Sequence, residues 1–462
     1  MKHHGSVDGT PASLTRRQLL LSAAASALLG ACGGSDDDDP VVPAAGFSGA
    51  VYAGTNRVSG NSIVAFGRNP DGTLTPIADY QTGGLGGIFD GTTDGLDPLI
   101  SEDTVVAVDN RYLLAVNAGS NTIASLRINA DFSLSLIGTV PSGGVGPNSI
   151  AYRNGLVYVA NTDSDGAFMG PPDQRGNITG LRLDLGTGQL TPIANSTREL
   201  DNRPSDIEFS PNGAHLIVSS VNAGSTALPG SGGSELVVYG VQADGSLTSA
   251  PQSSASSTLR GNTAGRNLPT AIGFEAVEVG GRTFVIVAEA REFFASGAPA
   301  MLPMFQTASV SSWELNANGS LTARSQDVLT GPSLTTGPAA PTSACWIVVS
   351  PDRTLFWVAH ASGAVISSFR LNADGTISLL NGRAAVGMPA VVGPTPLATA
   401  DGLVDITVSS DGRYVYQLLG LRGTINVYSV GASGALSRLQ QATGVLPMNN
   451  LAGLVSVDRR AS

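Results

Sequence analysis

The chain is poor in charge: 13% of its 462 residues are Asp, Glu, Lys or Arg, about half the ~25% usual in soluble domains. Amphipathic helices need such residues on their wet faces, so the scarcity argues against a helical protein. Lys and Arg form no cluster, and the formal net charge is −11. An acidic surface repels a phosphate backbone, so nucleic acid is not an expected partner. Cysteine is limited to Cys32 and Cys345, too few for a disulfide framework. The core and the topology must therefore hold the fold. Histidine is as scarce, with His3, His4, His215 and His360. No spacing of His, Cys or acidic residues assigns a metal, and no cofactor is expected. The longest apolar run near the N-terminus, Leu19 to Gly30, falls short of the ~20 residues that span a bilayer.

What the chain does have is 58 Gly and 26 Pro, a composition of short strands and many turns. It also carries an address. Arg16-Arg17 resembles a twin-arginine export signal, the apolar run follows it, and Leu28-Leu29-Gly30-Ala31-Cys32 resembles a lipobox. Small residues before Cys32 admit a signal peptidase, and its thiol would carry the lipid. Residues 1–31 read as a lipoprotein signal peptide and 32–46 as a Gly/Ser/Asp-rich tether, with Asp36 to Asp39 keeping it extended. The resemblance to lipoprotein sorting signals implies, from Gly33 rather than Asp after the cysteine, the outer membrane, facing the periplasm or the cell surface. The membrane is then a partner through the lipid alone.

Residues 47–460 repeat. A turn signature occurs around Gly72, Phe132, Gly188, Gly245, Gly319, Gly375 and Gly434, at intervals of 60, 56, 57, 74, 56 and 59 residues. Asp-Gly and Asn-Gly supply the positive φ of a tight hairpin. Most copies follow a second signature, two apolar strands around a polar turn such as Pro211-Asn212-Gly213 or Pro351-Asp352-Arg353. Together they predict four antiparallel strands per unit, an all-β seven-bladed propeller. The first copy lacks an inner strand, while Leu454-Val455-Ser456-Val457 is a strand without a blade. The C-terminal strand is therefore expected to close the ring by pairing into the first blade. Three Trp, irregularly placed, provide no repeated docking motif between blades.

The segments Ala115-Val116-Asn117-Ala118-Gly119-Ser120-Asn121-Thr122-Ile123 and Cys345-Trp346-Ile347-Val348-Val349 resemble the lactonase-like propeller family, which includes 6-phosphogluconolactonase and 3-carboxymuconate cyclase. The resemblance covers Phe47 to Asp458. It implies His and Arg at the inner-strand entries, near one mouth of the channel. Here those entries read Pro147-Asn148-Ser149 and Arg203-Pro204-Ser205-Asp206, without His.

Side chains at the inner-strand entries converge on the channel mouth: Glu102, Asn148, Asp206, Thr270, Cys345 and Asp405 are the candidate ligand-binding residues. Glu289 joins them as a charge inside an apolar run, although its period-two neighbour Arg291 points to a structural ion pair. Cys345 reads as a buried, inert thiol. Two function classes follow. One is a monomeric scaffold binding a small molecule or protein at the channel mouth and at the long loops Gly83 to Ser101, Phe293 to Ser309 and Leu329 to Thr342. The other is a lactone hydrolase or cycloisomerase, with Asp206 as base and Arg203 stabilising the oxyanion.

Overall fold

The computed structural model describes residues 46–88, 97–162, 176–221, 235–256, 269–291, 306–333, 343–361, 363–387 and 401–460. The segment read as an export signal, Cys32, nearly all of residues 32–46 and parts of the three long loops lie outside these residues.

Seven antiparallel sheets succeed one another along the chain. Their inner strands, for blades one to seven, are Leu454–Asp458, Val105–Val108, Pro147–Arg153, Arg203–Phe209, Thr270–Val279, Ala344–Val349 and Leu403–Val408. Each inner strand packs beside the next and the seventh packs beside the first, which makes the ring. Closure follows the expected route. Leu454–Asp458 pairs antiparallel with Gly49–Gly54, in the register Tyr52↔Val455 and Gly49↔Asp458. The buried Arg68 holds Asp458 in an ion pair. A closed ring leaves no sheet edge open to another chain at the seam.

The strands read as unbroken apolar runs because both of their faces are covered. Ala50 and Tyr52 pack with the second blade, whereas the alternate residues Val51 and Ala53 pack with the sixth and seventh. Every adjacent pair of blades shares such a cluster. All seven turn markers adopt positive φ, between 67° and 86°, Phe132 among them. Asp71, Asp131, Asp244 and Asp374 close these turns by accepting the amide two residues on.

The same turns lock neighbouring blades. Tyr52 donates to the carbonyl of Phe132, Tyr112 to Leu185 and Tyr158 to Gly245, each at 3.0 Å. Trp357 donates to Gly434 at 2.9 Å and Tyr416 to Gly72 at 3.1 Å. Each aromatic lies on the second strand of one blade and reaches the outer turn of the next. The fifth blade puts Phe284 in this position against Gly375, and there Ser312 Oγ supplies the donor at 2.7 Å. The third blade departs from four strands. Its outer strand is split into Leu190–Pro192 and Arg198–Glu199. Asn195 turns at a positive φ between the two pieces, and Ser196 Oγ bridges the gap by accepting Gly180 N at 3.0 Å.

Candidate functional site

The inner strands of blades three to seven share a defect at their entries. A β-bulge displaces Asn148, Ser205, the Ile272-Gly273 step, Cys345 and Asp405 from the ladder. A bulge re-aims its residue out of the pleat. Three of the residues expected at the channel mouth, Asn148, Cys345 and Asp405, are themselves bulge residues, and Asp206 directly follows one.

The innermost strand of a blade has one edge with no partner strand, so its amides need acceptors. Side chains from neighbouring blades provide them. Asp206 accepts Phe274 N at 3.0 Å, Glu208 accepts Ala276 N at 2.6 Å and Asp405 accepts Leu454 N at 2.7 Å. Glu275 likewise takes a backbone hydrogen bond from Val349. Ser149 Oγ donates to Asp206 at 3.0 Å, and Asn148 Nδ2 to the Pro204 carbonyl at 2.9 Å. All of these bonds run from one blade to the next in chain order. The entry groups are a seam between blades.

Across this seam lies a segment of the chain itself. Residues 97–104 lead into the second blade, yet they reach most of the ring. Glu102 Oε1 accepts Ile347 N of the sixth blade at 2.9 Å, and the Ser101 carbonyl accepts Trp346 Nε1 at 3.0 Å. Glu102 N donates to Ser205 O of the fourth blade, and Asp103 O accepts Ile150 N of the third. Glu102 Oε2 rests against Gly273 of the fifth, where a Cβ would collide with it. Ile100 is buried in the core shared by the sixth and seventh blades. This segment stoppers the entry end of the channel.

Beneath the stopper is a cavity of about 210 Å³, lined by Glu102, Asp103, Glu275 and Asp405 together with apolar residues including Phe274, Ile406 and Leu454. Asp206 and Glu208 lie within electrostatic reach of it. Burial pushes all six carboxyl groups above their ordinary range, and neighbouring carboxylates add to the effect on every one but Asp103. For Asp103, burial raises the value to about 7; for Glu275, burial and then Asp103 raise it to about 8. For Glu102, Asp206, Glu208 and Asp405, burial is again the main cause, followed by the neighbouring carboxylates. Among the described residues none of the six forms an ion pair. Among the described residues no group of three or more His, Cys, Asp or Glu is arranged to hold a metal.

No family model and no curated protein matches the chain. Solved structures do. The periplasmic gluconolactonase of Pseudomonas aeruginosa superposes with a TM-score of 0.57 at 16% identity, covering 89% of this chain and 99% of that one. A candidate 6-phosphogluconolactonase of Bacteroides fragilis gives 0.54 at 13%, covering 91% and 100%. A hypothetical selenium-binding protein of Sulfolobus tokodaii gives 0.57 at 11%, covering 89% and 93%. The fold these structures share with the chain is the seven-bladed β-propeller. Likeness at this level of identity establishes architecture, which one fold lends to unrelated sites.

On the propeller frame the sequence candidates separate. Glu102 and Asp405 line the cavity. Asp206 has three donors, Ser149 Oγ, Ile207 N and Phe274 N, and the Arg203 guanidinium is not one of them. Asn148 and Cys345 are buried in the seam, and Thr270 is half-buried at the head of the fifth inner strand. Glu289 lies on the second strand of its blade, fully buried with Arg291, which it meets at 3.4 Å while Arg291 meets Asp327 at 2.9 Å. Three cavity acids, Asp103, Glu208 and Glu275, escaped the sequence reading. The signal was a charge inside an apolar inner strand, as in Ile207-Glu208-Phe209 and Phe274-Glu275-Ala276.

Proposed function

We propose that this chain is an exported, lipid-anchored lactonase-like propeller that acts as a binding scaffold. One observation carries the non-catalytic reading. The entry-face carboxylates are engaged as acceptors for neighbouring blades, beneath a segment of the same chain, and Asp206 has no electrophilic partner. An acyl-transfer site needs a base beside an electrophile with room for substrate between them. Recognition then belongs to the entry face, from which the long connections depart. Export through Arg16-Arg17 and lipidation of Cys32 place that face outside the cytoplasm, with the tether as spacer. The test is turnover of gluconolactone and 6-phosphogluconolactone by the purified full chain. No hydrolysis above the spontaneous rate is expected. Enzyme-like turnover that disappears in Asp206→Asn would refute the scaffold. For the anchor, palmitate labelling is expected in the native chain and not in Cys32→Ala.

The lactone hydrolase or cycloisomerase reading retains one supporting observation. Asp103 and Glu275 face the cavity with values of about 7 and 8, a range suited to general acid–base work at neutral pH. Turnover lost on Asp103→Asn but kept in Asp206→Asn would move the reaction to these two residues.

A further inference from the structure

The stopper is held unusually. Two of its residues, Ile100 and Asp103, lie in the left-handed region with φ of 51° and 56°. That region is sterically costly for a β-branched side chain such as isoleucine and persists where surrounding contacts impose it. The contacts that impose it here include the Ile347, Trp346, Ser205, Ile150 and Val116 hydrogen bonds, the Asp97 carboxylate that accepts Ile100 N at 2.9 Å, and the apolar seats of Leu99 and Ile100. Glu102 Oε2 is buried with no hydrogen-bond partner.

Two acids of the stopper meet acids from the ring. Glu102 and Asp103 face Asp206 and Glu208 of the fourth blade, Glu275 of the fifth and Asp405 of the seventh. The third blade presents Asn148 and Ser149 there, the sixth Cys345 and Trp346, and the first Leu454 and Val455. Arg203, at the head of the fourth inner strand, pairs with none of these acids. The cluster is therefore compatible with a closed stopper while its carboxyl groups are neutral, and each ionisation adds a buried like charge.

We propose that residues 97–104 are a proton-sensitive stopper, seated while the axial carboxyl groups hold their protons and released from the entry face of the channel when they lose them. Release opens the axial cavity to solvent on the side that carries the long connections. The inference does not depend on whether the cavity binds or catalyses.

The sign follows from the two ionisations nearest neutrality. Asp103 loses its proton around 7 and Glu275 around 8. Charge then accumulates beside Glu102, whose one amide donor is the Ile347 N–H that seats it.

The experiment is hydrogen–deuterium exchange of the full chain across pH, corrected for the intrinsic exchange rate, alongside alkylation of Cys345. That thiol is buried in the core that also holds Ile100. Peptide mapping separates it from Cys32, and its rate is normalised to the denatured chain at each pH. Between about pH 6 and about pH 9, protection of 99–104 and of Cys345 is expected to fall about tenfold or more, the weight of one pKa unit. The inner strand Val105–Val108 should stay protected. Asp103→Asn should flatten the profile, and Glu275→Gln serves as the second variant should the first fail to fold. Unchanged protection across the range would overturn the proposal. So would equal loss throughout the ring, or a folded Asp103→Asn chain that opens as the native chain does.

Discussion

The Tyr416 hydroxyl donates to the carbonyl of Gly72 at 3.1 Å, joining residues 344 positions apart in sequence. It is one of five equivalent bonds in which an aromatic of one blade grips the outer turn of the next. It also sits at the junction where the ring closes. Tyr416→Phe removes the donor and leaves a buried carbonyl unpaired. A loss of about 1 kcal/mol is expected from chemical denaturation, and Tyr52→Phe should behave alike.

Gly273 is a glycine for lack of space, since a Cβ there would strike Glu102 Oε2 and the Cys345 carbonyl. Gly273→Ala should destabilise the chain by about 1–3 kcal/mol, the usual cost of overpacking. It should also raise exchange in residues 99–104 ahead of the rest of the ring.

Arg291 is wholly buried between Glu289 and Asp327. Arg291→Ala removes the cation that two carboxylates share, one of them fully buried, and a loss of about 3–5 kcal/mol is expected from the unfolding midpoint. Arg291→Lys keeps the charge but not the planar fork, and should recover part of the loss.

Stability should fall as pH rises. Asp103 and Glu275 hold their protons in the folded chain up to about 7 and 8, whereas unfolded they release them near 4. The native state therefore binds more protons over that interval. The stabilisation is full below about pH 4 and is lost as pH passes through 7 to 8. For these groups the melting temperature should be higher at about pH 5 than at about pH 9, with the slope reduced in Asp103→Asn. A melting temperature that climbs over this range would contradict the burial of the cluster.

The architecture was legible because the turn markers impose one conformation. Six glycines and Phe132 share a positive φ, and glycine, which tolerates it, recurs at every copy but that of Phe132. The strand without a blade, Leu454–Asp458, was equally plain. The inter-blade bonds were missed because a search for repeated tryptophan overlooks Tyr52, Tyr112, Tyr158 and Tyr416. The stopper was missed for a different reason. Leu99 to Thr104 has neither strand nor helix periodicity, and its contacts with Ile150, Ser205, Gly273 and Ile347 are all long-range. The split of the third outer strand had no sign in Leu190-Thr191-Pro192, which repeats the Leu74-Thr75-Pro76 of an unbroken strand. Which atoms Asp206 and Asp405 would satisfy depended on bulges that one strand alone does not announce.

Pairing of Gly49–Gly54 with Leu454–Asp458 sets an order on the chain's birth. The first blade is translated early but stays one strand short until about 400 further residues have been made, roughly 20–80 s at ordinary elongation rates. Throughout that interval the ribosome holds a growing protein with a bare apolar edge at its start. That edge gains its partner only when the last strand is made.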